Sequence, residues 1–468
     1  MHKPTTPEIA ASPASRAERG FILALLCTAL LLGVAYVVAS PAFTGPDEVD
    51  HLQYVRTLVE SGGAKVEGLQ AKQPASYYWL TAPVYLLVRG QPQPLQLAAL
   101  RLVSVALFLG EVLLAYLAAR RLSPSNPFVY LSTAAIVALL PGRVWLAATL
   151  NNDNLASLAS TALIYLVARG VMGGFDRVTR LCLLVALPAA LLSKLSSWVV
   201  VVVVVGVIAV VAIRRSATSG ILARRAFRIA AAVAASALLT LAAADCVASW
   251  SALSGDSAPA TVDRLEGASL RLIKGPLAPL DRMSGMRLSF IHLTWRTMIQ
   301  IPPPQLEPFA LQFKSFWFPV WEYDNGLTDE SLQLPLLVSA LAVVGIAVGL
   351  VRFFRRGDRV PADRRKAVCL AVLALMIVAT WLWILLQFLI VVGGTGSFMP
   401  NSGLVWSAHA RYLFPVLVPI AFFLATGLRQ FIPVRWSPLG LAALVAVLLY
   451  LQVIVLANLI SRSYWWPA

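Results

Sequence analysis

The stretch that decides the fold reads FILALLCTALLLGVAYVVAS over residues 21–40 and continues as PAFTGPDEVDHLQYVR over 41–56. About 20 uncharged apolar residues, at about 1.5 Å of rise each, cross the ~30 Å hydrocarbon core of a bilayer as one helix. The run is longer than a signal-peptide core, so it reads as a retained first span behind a polar tail over 1–20; the small residues from Ala39 to Ala42 leave cleavage as a second reading. Three carboxylates and a histidine follow at once: Asp47, Glu48, Asp50 and His51.

The same apolar density continues outward from this stretch. Of 468 residues, 59% are hydrophobic and 13% charged, with a mean hydropathy of +0.77, which is too little polar surface to cover a water-soluble globule. Apolar runs long enough to span lie at 21–40, 99–119, 128–149, 153–171, 179–193, 196–213, 227–249, 333–353, 367–392, 410–428 and 438–459. Lipid admits only helices or closed barrels, so even the valines from Val199 to Val205 read as helix. The expected fold is an all-α polytopic membrane protein of about eleven transmembrane helices. Its expected divisions are a tail (1–20), a transmembrane module (21–249) containing a first outer loop (41–98), a large outer loop (250–332), and a C-terminal transmembrane module (333–468).

The formal charge of +16 comes from Lys and Arg scattered among apolar runs, a topology signal and no nucleic-acid surface. With the N-terminus inside and the C-terminus outside, more than half of the 38 basic residues fall on short inner segments, such as Arg120–Arg121 and Arg352–Lys366. The two long loops on the other side hold most of the carboxylates, so the chemistry faces outward. Cys27, Cys182, Cys246 and Cys369 show no C-x-x-C spacing and support neither a metal site nor a disulfide framework. No internal repeat is visible, which weakens an inverted-repeat transporter.

After the first span, Pro46 suits the first position of a helix, and Asp47 and Glu48 then fall in its first turn. At 100° per residue, Asp47, His51, Tyr54 and Leu58 share one face and Glu48, Leu52, Val55 and Val59 the next. Two readings stand together. Thr44-x-x-Asp47 fits a capping box, while carboxylates pinned where a span meets an outer loop suit a base acting on a lipid-linked substrate. Lys72 precedes the short aromatic segment Tyr77-Tyr78-Trp79, as a phosphate-binding or a snorkelling lysine.

Asn151-Asn152-Asp153-Asn154, preceded by Arg143, sits in a tight outer turn that offers either caps or a second acid. Lys194 stands alone between two apolar runs, where a cation is costly unless paired or facing a cavity. Arg411, within His409-Ala410-Arg411-Tyr412, is the only charge between Lys366 and Arg429 and must find its partner in space: a bound phosphate, Asp47 or Asp153. Lys314 leads an aromatic run of Phe316, Trp317, Phe318, Trp321 and Tyr323, which reads as an interfacial platform for a lipid or a sugar, or as a plain membrane anchor.

Together, Pro-Asp-Glu-x-x-His after span one, Lys-x-Pro-x-x-Tyr-Tyr-Trp-Leu, Asn-Asn-Asp before span four, Lys-Ser-Phe-Trp and Ala-Arg-Tyr-Leu-Phe-Pro resemble the integral-membrane GT-C glycosyltransferases. The likeness is to their bacterial polyprenyl-phosphate-sugar-dependent branch. It covers 44–198 well and 312–428 loosely, and Gln73 and Ala75 depart from the double proline common there.

The resemblance implies a GT-C-like fold with short interfacial helices in the outer loops. It also implies an inverting transferase at the outer face of a bacterial cytoplasmic membrane. The donor would be a polyprenyl-phosphate sugar, and the acceptor a hydroxyl of a glycan, lipid or protein. Asp47 maps onto the general base, with Glu48 the nearest alternative and Asp153 a second acid. Lys72 and Arg411 map onto phosphate-binding cations, and His51, Tyr77, Arg143, Lys194, Lys314, His409 and Tyr412 are the further substrate-binding candidates. A divalent metal, if used, would draw on Asp47, Glu48 and His51. An O-antigen polymerase or ligase, built on Arg282, Arg287, His292 and Arg296 of the large loop, and a lipid-glycan transporter are the competing readings.

Overall fold

The computed structural model describes residues 15–63, 70, 73–216, 307–318, 329–356, 361–394 and 410–463. Lys72, His409, the expected span at 227–249, the large loop before residue 307 with its four basic candidates, and residues 319–328 lie outside the described residues.

The chain is all-α and polytopic, and no strand occurs among the described residues. The helices are α1 (Arg16–Ala39), α2 (Glu48–Glu60), α3 (Ser76–Val88), α4 (Gln93–Leu122), α5 (Pro127–Leu139), α6 (Pro141–Ala147), α7 (Asp153–Gly173), α8 (Arg177–Leu191) and α9 (Trp198–Ser216). They continue as α10 (Glu307–Trp317), α11 (Asp329–Arg356), α12 (Pro361–Gly394), α13 (Leu417–Leu428), entered through a 3₁₀ turn (Ala410–Val416), and α14 (Ser437–Ser463).

Among the described residues seven helices are long and apolar enough to cross a membrane: α1, α4, α7, α11, α12, the 3₁₀ turn with α13, and α14. The expected span at 128–149 is instead two helices, α5 and α6, bent by 54° at Leu140–Pro141. Pro141 has no N–H to continue α5, so the ladder breaks there and Pro141 opens α6. The expected spans at 179–193 and 196–213 form α8, of 15 residues, and α9, whose apolar part is Trp198–Val211. At about 1.5 Å per residue, α8 rises less than a full hydrocarbon core.

One hydrophobic core joins both ends of the chain: Ala29 and Tyr36 of α1, Phe108 of α4, Leu163 of α7, Phe422 of α13 and Leu448 of α14 belong to it. The expected transmembrane modules therefore share their packing. Tyr36 Oη donates to Gln452 Oε1 across this core at 2.8 Å, and Gln452 Nε2 donates to Leu139 O, so the buried amide is satisfied. The helices α11 and α13 cross at Gly345 and Gly427, where a Cβ on either would collide with the other's backbone. A second, smaller core packs α2 on α3 through Leu52, Tyr54, Val55, Tyr77 and Tyr78.

Of the aromatic run after Lys314, the three described residues depart from the expected surface platform, and Trp321 and Tyr323 lie outside the described residues. Phe316, Trp317 and Phe318 are buried, and α10 ends against α6 and the turn at 410, where Ser315 Oγ accepts from Ala410 N at 2.9 Å.

Candidate active site

The C-terminal end of α1, the N-terminal ends of α2, α4 and α7, the turn between α8 and α9 and the start of the turn at 410 meet at one end of the bundle. Arg101 reaches Ser40 O at 2.8 Å, Asn151 Nδ2 reaches Pro46 O at 3.1 Å, and Arg411 reaches Asp47.

Asp47 does not join Glu48 in the first turn of α2, as the sequence pattern leads one to expect. Helix α2 starts at Glu48, and Asp47 is its N-cap residue in the left-handed region (φ 57°, ψ 19°) with no side-chain cap bond. Thr44 Oγ1 donates to Pro41 O, so the capping box does not form. Aspartate is among the few residues that tolerate this backbone. Its consequence is that two adjacent carboxylates part company.

Glu48 turns inward and is saturated. Its oxygens accept from Arg101 Nε (2.8 Å) and Nη2 (2.6 Å), Gly45 N (3.0 Å) and Leu150 N (2.9 Å). Asp47 turns the other way, with its side chain 19% exposed and Oδ2 3.2 Å from Arg411 Nη1.

Asp153 lies beside this pair in kind. Its carboxylate is buried, Oδ2 stands 2.8 Å from Lys194 Nζ, and Oδ1 has no hydrogen-bond partner among the described residues. The asparagines hold it in place: Asn151 Oδ1 accepts from Asp153 N at 2.9 Å, and Asn152 Nδ2 donates to Ser193 O. Both cations face the ring of Tyr412, Lys194 Nζ at 5.6 Å and Arg411 Cζ at 5.2 Å from its centroid, and Arg411 Nη2 donates to its hydroxyl at 3.3 Å.

His51 is buried on the next turn of α2, with Nδ1 2.8 Å from Tyr78 Oη and Nε2 without a hydrogen-bond partner among the described residues. Burial first, then the charges of Lys194 and Arg411, push its pKa well below the ordinary 6.5, so the ring is neutral near pH 7. Tyr77 is taken up structurally: its hydroxyl bonds Ser104 Oγ at 2.7 Å and accepts from Asn151 N at 3.1 Å.

Arg143 is drawn away from the cluster. It is fully buried, pairs with Glu111 of α4, donates to Asn154 Oδ1 at 2.9 Å and lies over Phe108. Lys314 is half-buried one residue before Ser315 and makes no ion pair among the described residues. Arg101, Glu111 and Tyr78 are not among the candidates that the sequence motifs single out. The signal for the first two was present, since a charge inside an apolar run demands a partner.

Asp47, Glu48 and His51 do not assemble a metal site. Both Glu48 oxygens are already bound by Arg101 and two backbone N–H groups, and no group of three or more His, Cys, Asp or Glu side chains converges among the described residues.

No protein-family model matches the sequence, and no curated protein matches it. The chain is similar to solved structures of an archaeal oligosaccharyltransferase and of ArnT. The apo oligosaccharyltransferase of Archaeoglobus fulgidus is 12% identical, with a TM-score of 0.49 over 95% of this chain and 57% of that one. The same enzyme, AglB, in complex with an inhibitory peptide and a dolichol-phosphate is 11% identical, with a TM-score of 0.49 over 96% and 56%. ArnT from Cupriavidus metallidurans bound to undecaprenyl phosphate is 16% identical, with a TM-score of 0.37 over 88% and 77%. The chain spans little more than half the length of the oligosaccharyltransferase.

Proposed function

We propose that the chain is an inverting membrane glycosyltransferase. It takes a sugar from a polyprenyl-phosphate carrier and places it on a hydroxyl of a glycan, lipid or protein acceptor, at the outer face of a bacterial cytoplasmic membrane. The observation that carries this reading is the pairing of two incompletely satisfied carboxylates, Asp47 and Asp153, with two cations, Arg411 and Lys194, that face one tyrosine ring.

A lipid phosphate entering between Arg411 and Lys194 takes both as partners through charge-assisted hydrogen bonds and releases the carboxylates. Asp47 then accepts the proton of the acceptor hydroxyl as its oxygen bonds to the anomeric carbon. The bond from that carbon to the phosphate oxygen breaks, the electron pair leaves with the phosphate, and the two cations neutralise the developing charge. Asp153 orients hydroxyls of the sugar or acceptor, and neutral His51 offers Nε2 as a further contact. Lys72, Lys314 and His409 are assigned to substrate binding on the sequence motifs.

Purified protein in liposomes, offered a panel of polyprenyl-phosphate hexoses and pentoses with candidate acceptors, tests the reading through release of free polyprenyl phosphate. Asp47→Asn is expected to lower release by about 10²–10⁴, the usual contribution of a positioned base. Protein-dependent movement of the lipid across the bilayer without donor consumption would replace the transferase by a transporter.

A further inference from the structure

We infer that the opposite end of the bundle binds the phosphate group of an anionic membrane lipid, in a cavity of about 200 Å³ lined by Arg121, Tyr165, Arg169, Gly173, Gly174 and Asp176. This site is separate from the one proposed for glycosyl transfer.

Arg121 carries the inference. It sits at the last turn of α4, half-buried, with Nε shielded from solvent and without a hydrogen-bond partner among the described residues, and it makes no ion pair among them. The other lining arginine has an acceptor, Arg169 Nη2 bonding Asp176 Oδ2 at 2.7 Å, and nearby Arg180 Nε bonds Asp176 O at 3.2 Å and Arg365 Nη1 bonds Met172 O at 3.1 Å. A guanidinium so placed is costly to desolvate unless an anion completes it. Gly173 leaves the space that the Arg121 guanidinium fills, and Gly174 (φ 96°) then turns the chain in a way only glycine adopts cheaply.

The charge balance points the same way. Asp176 is the cavity's carboxylate, and part of it is committed to capping α8, where Oδ1 accepts from Thr179 N at 2.7 Å. Its pair with Arg169 is largely exposed, at 33% and 51% for the two side chains, and therefore exchangeable with an incoming anion. Arg121 and Arg169 present planar forks that match phosphate oxygens, and the Tyr165 hydroxyl adds a donor. Because α4 and α7 are candidate spans and the cavity sits where both end, its mouth lies at headgroup depth. That placement favours a lipid phosphate over free phosphate, on the end of the bundle where the sequence concentrates Lys and Arg.

The test is native mass spectrometry of delipidated protein titrated with phosphatidylglycerol, phosphatidylcholine or inorganic phosphate, with melting curves as the folding control. Wild type is expected to retain phosphatidylglycerol in preference to phosphatidylcholine. Arg121→Gln with Arg169→Gln is expected to weaken retention about tenfold or more. Asp176→Asn, which keeps the capping oxygen and removes the competing charge, is expected to strengthen it. Equal retention by wild type and both variants would overturn the site. Inorganic phosphate displacing phosphatidylglycerol at the same occupancy would overturn the lipid as its source.

Discussion

Asp47 and Glu48 are neighbours in the chain and opposites in the structure. Glu48 is buried and receives hydrogen bonds from Arg101, Gly45 and Leu150, so it ties the first loop, α4 and the α6–α7 turn together. Asp47, one left-handed residue earlier, is partly exposed and meets Arg411 through one 3.2 Å contact. Deeper in the bundle Glu111 pairs with Arg143, and like Asp153 with Lys194 it keeps a carboxylate oxygen without a hydrogen-bond partner among the described residues, so burial alone does not separate the two kinds of pair. Saturated pairs have nothing left to offer a substrate. Unsaturated ones hold charge ready for exchange, at a cost the surrounding fold must absorb.

The largest expected effect breaks a saturated pair. Arg101→Ala strands the Glu48 carboxylate and is expected to cost about 3–5 kcal/mol of stability, read as loss of the folded form in denaturant titration. Arg411→Gln should act on the other side of the contrast. With Asp47 partly exposed and held by this one contact, its stability cost is expected to be smaller than that of Arg101→Ala, while donor turnover falls about 10–100-fold through lost phosphate hydrogen bonds. A neutral saturated contact gives the reference point: Tyr36→Phe removes the donor to Gln452 and is expected to cost about 1 kcal/mol with turnover unchanged.

The smallest effect is in pH. His51 has a folded pKa lowered below 6.5, so as pH falls the unfolded chain takes up the proton first. Stability from this group is full above about 6.5 and is lost as pH falls below it. Melting temperature should decline from about pH 6.5 downward in wild type and decline less in His51→Gln.

The spans were legible because runs of about 20 apolar residues have few alternatives. The break at Leu140–Pro141 was written in the proline but hidden by the apolar residues on both sides. Asp153, Lys194 and Arg411 stood out because an isolated charge beside an apolar run needs a partner, and the structure supplies partners for all three. Arg101 and Glu111 obey the same rule and were overlooked inside their run. The separation of Asp47 from Glu48 is beyond local reading: helical periodicity places both in a first turn, whereas distant Arg101 and Leu150 hold Glu48 inward, distant Arg411 meets Asp47, and the step between them is left-handed.

The central claim, that Asp47 works while Glu48 builds, is tested most directly by measuring melting temperature and turnover per folded molecule for Asp47→Asn and Glu48→Gln side by side. Asp47→Asn is expected to melt near wild type with turnover lost, and Glu48→Gln to show a large fall in melting with turnover retained by the surviving folded fraction. Retained turnover in Asp47→Asn, with loss of turnover and unchanged melting in Glu48→Gln, would contradict the claim.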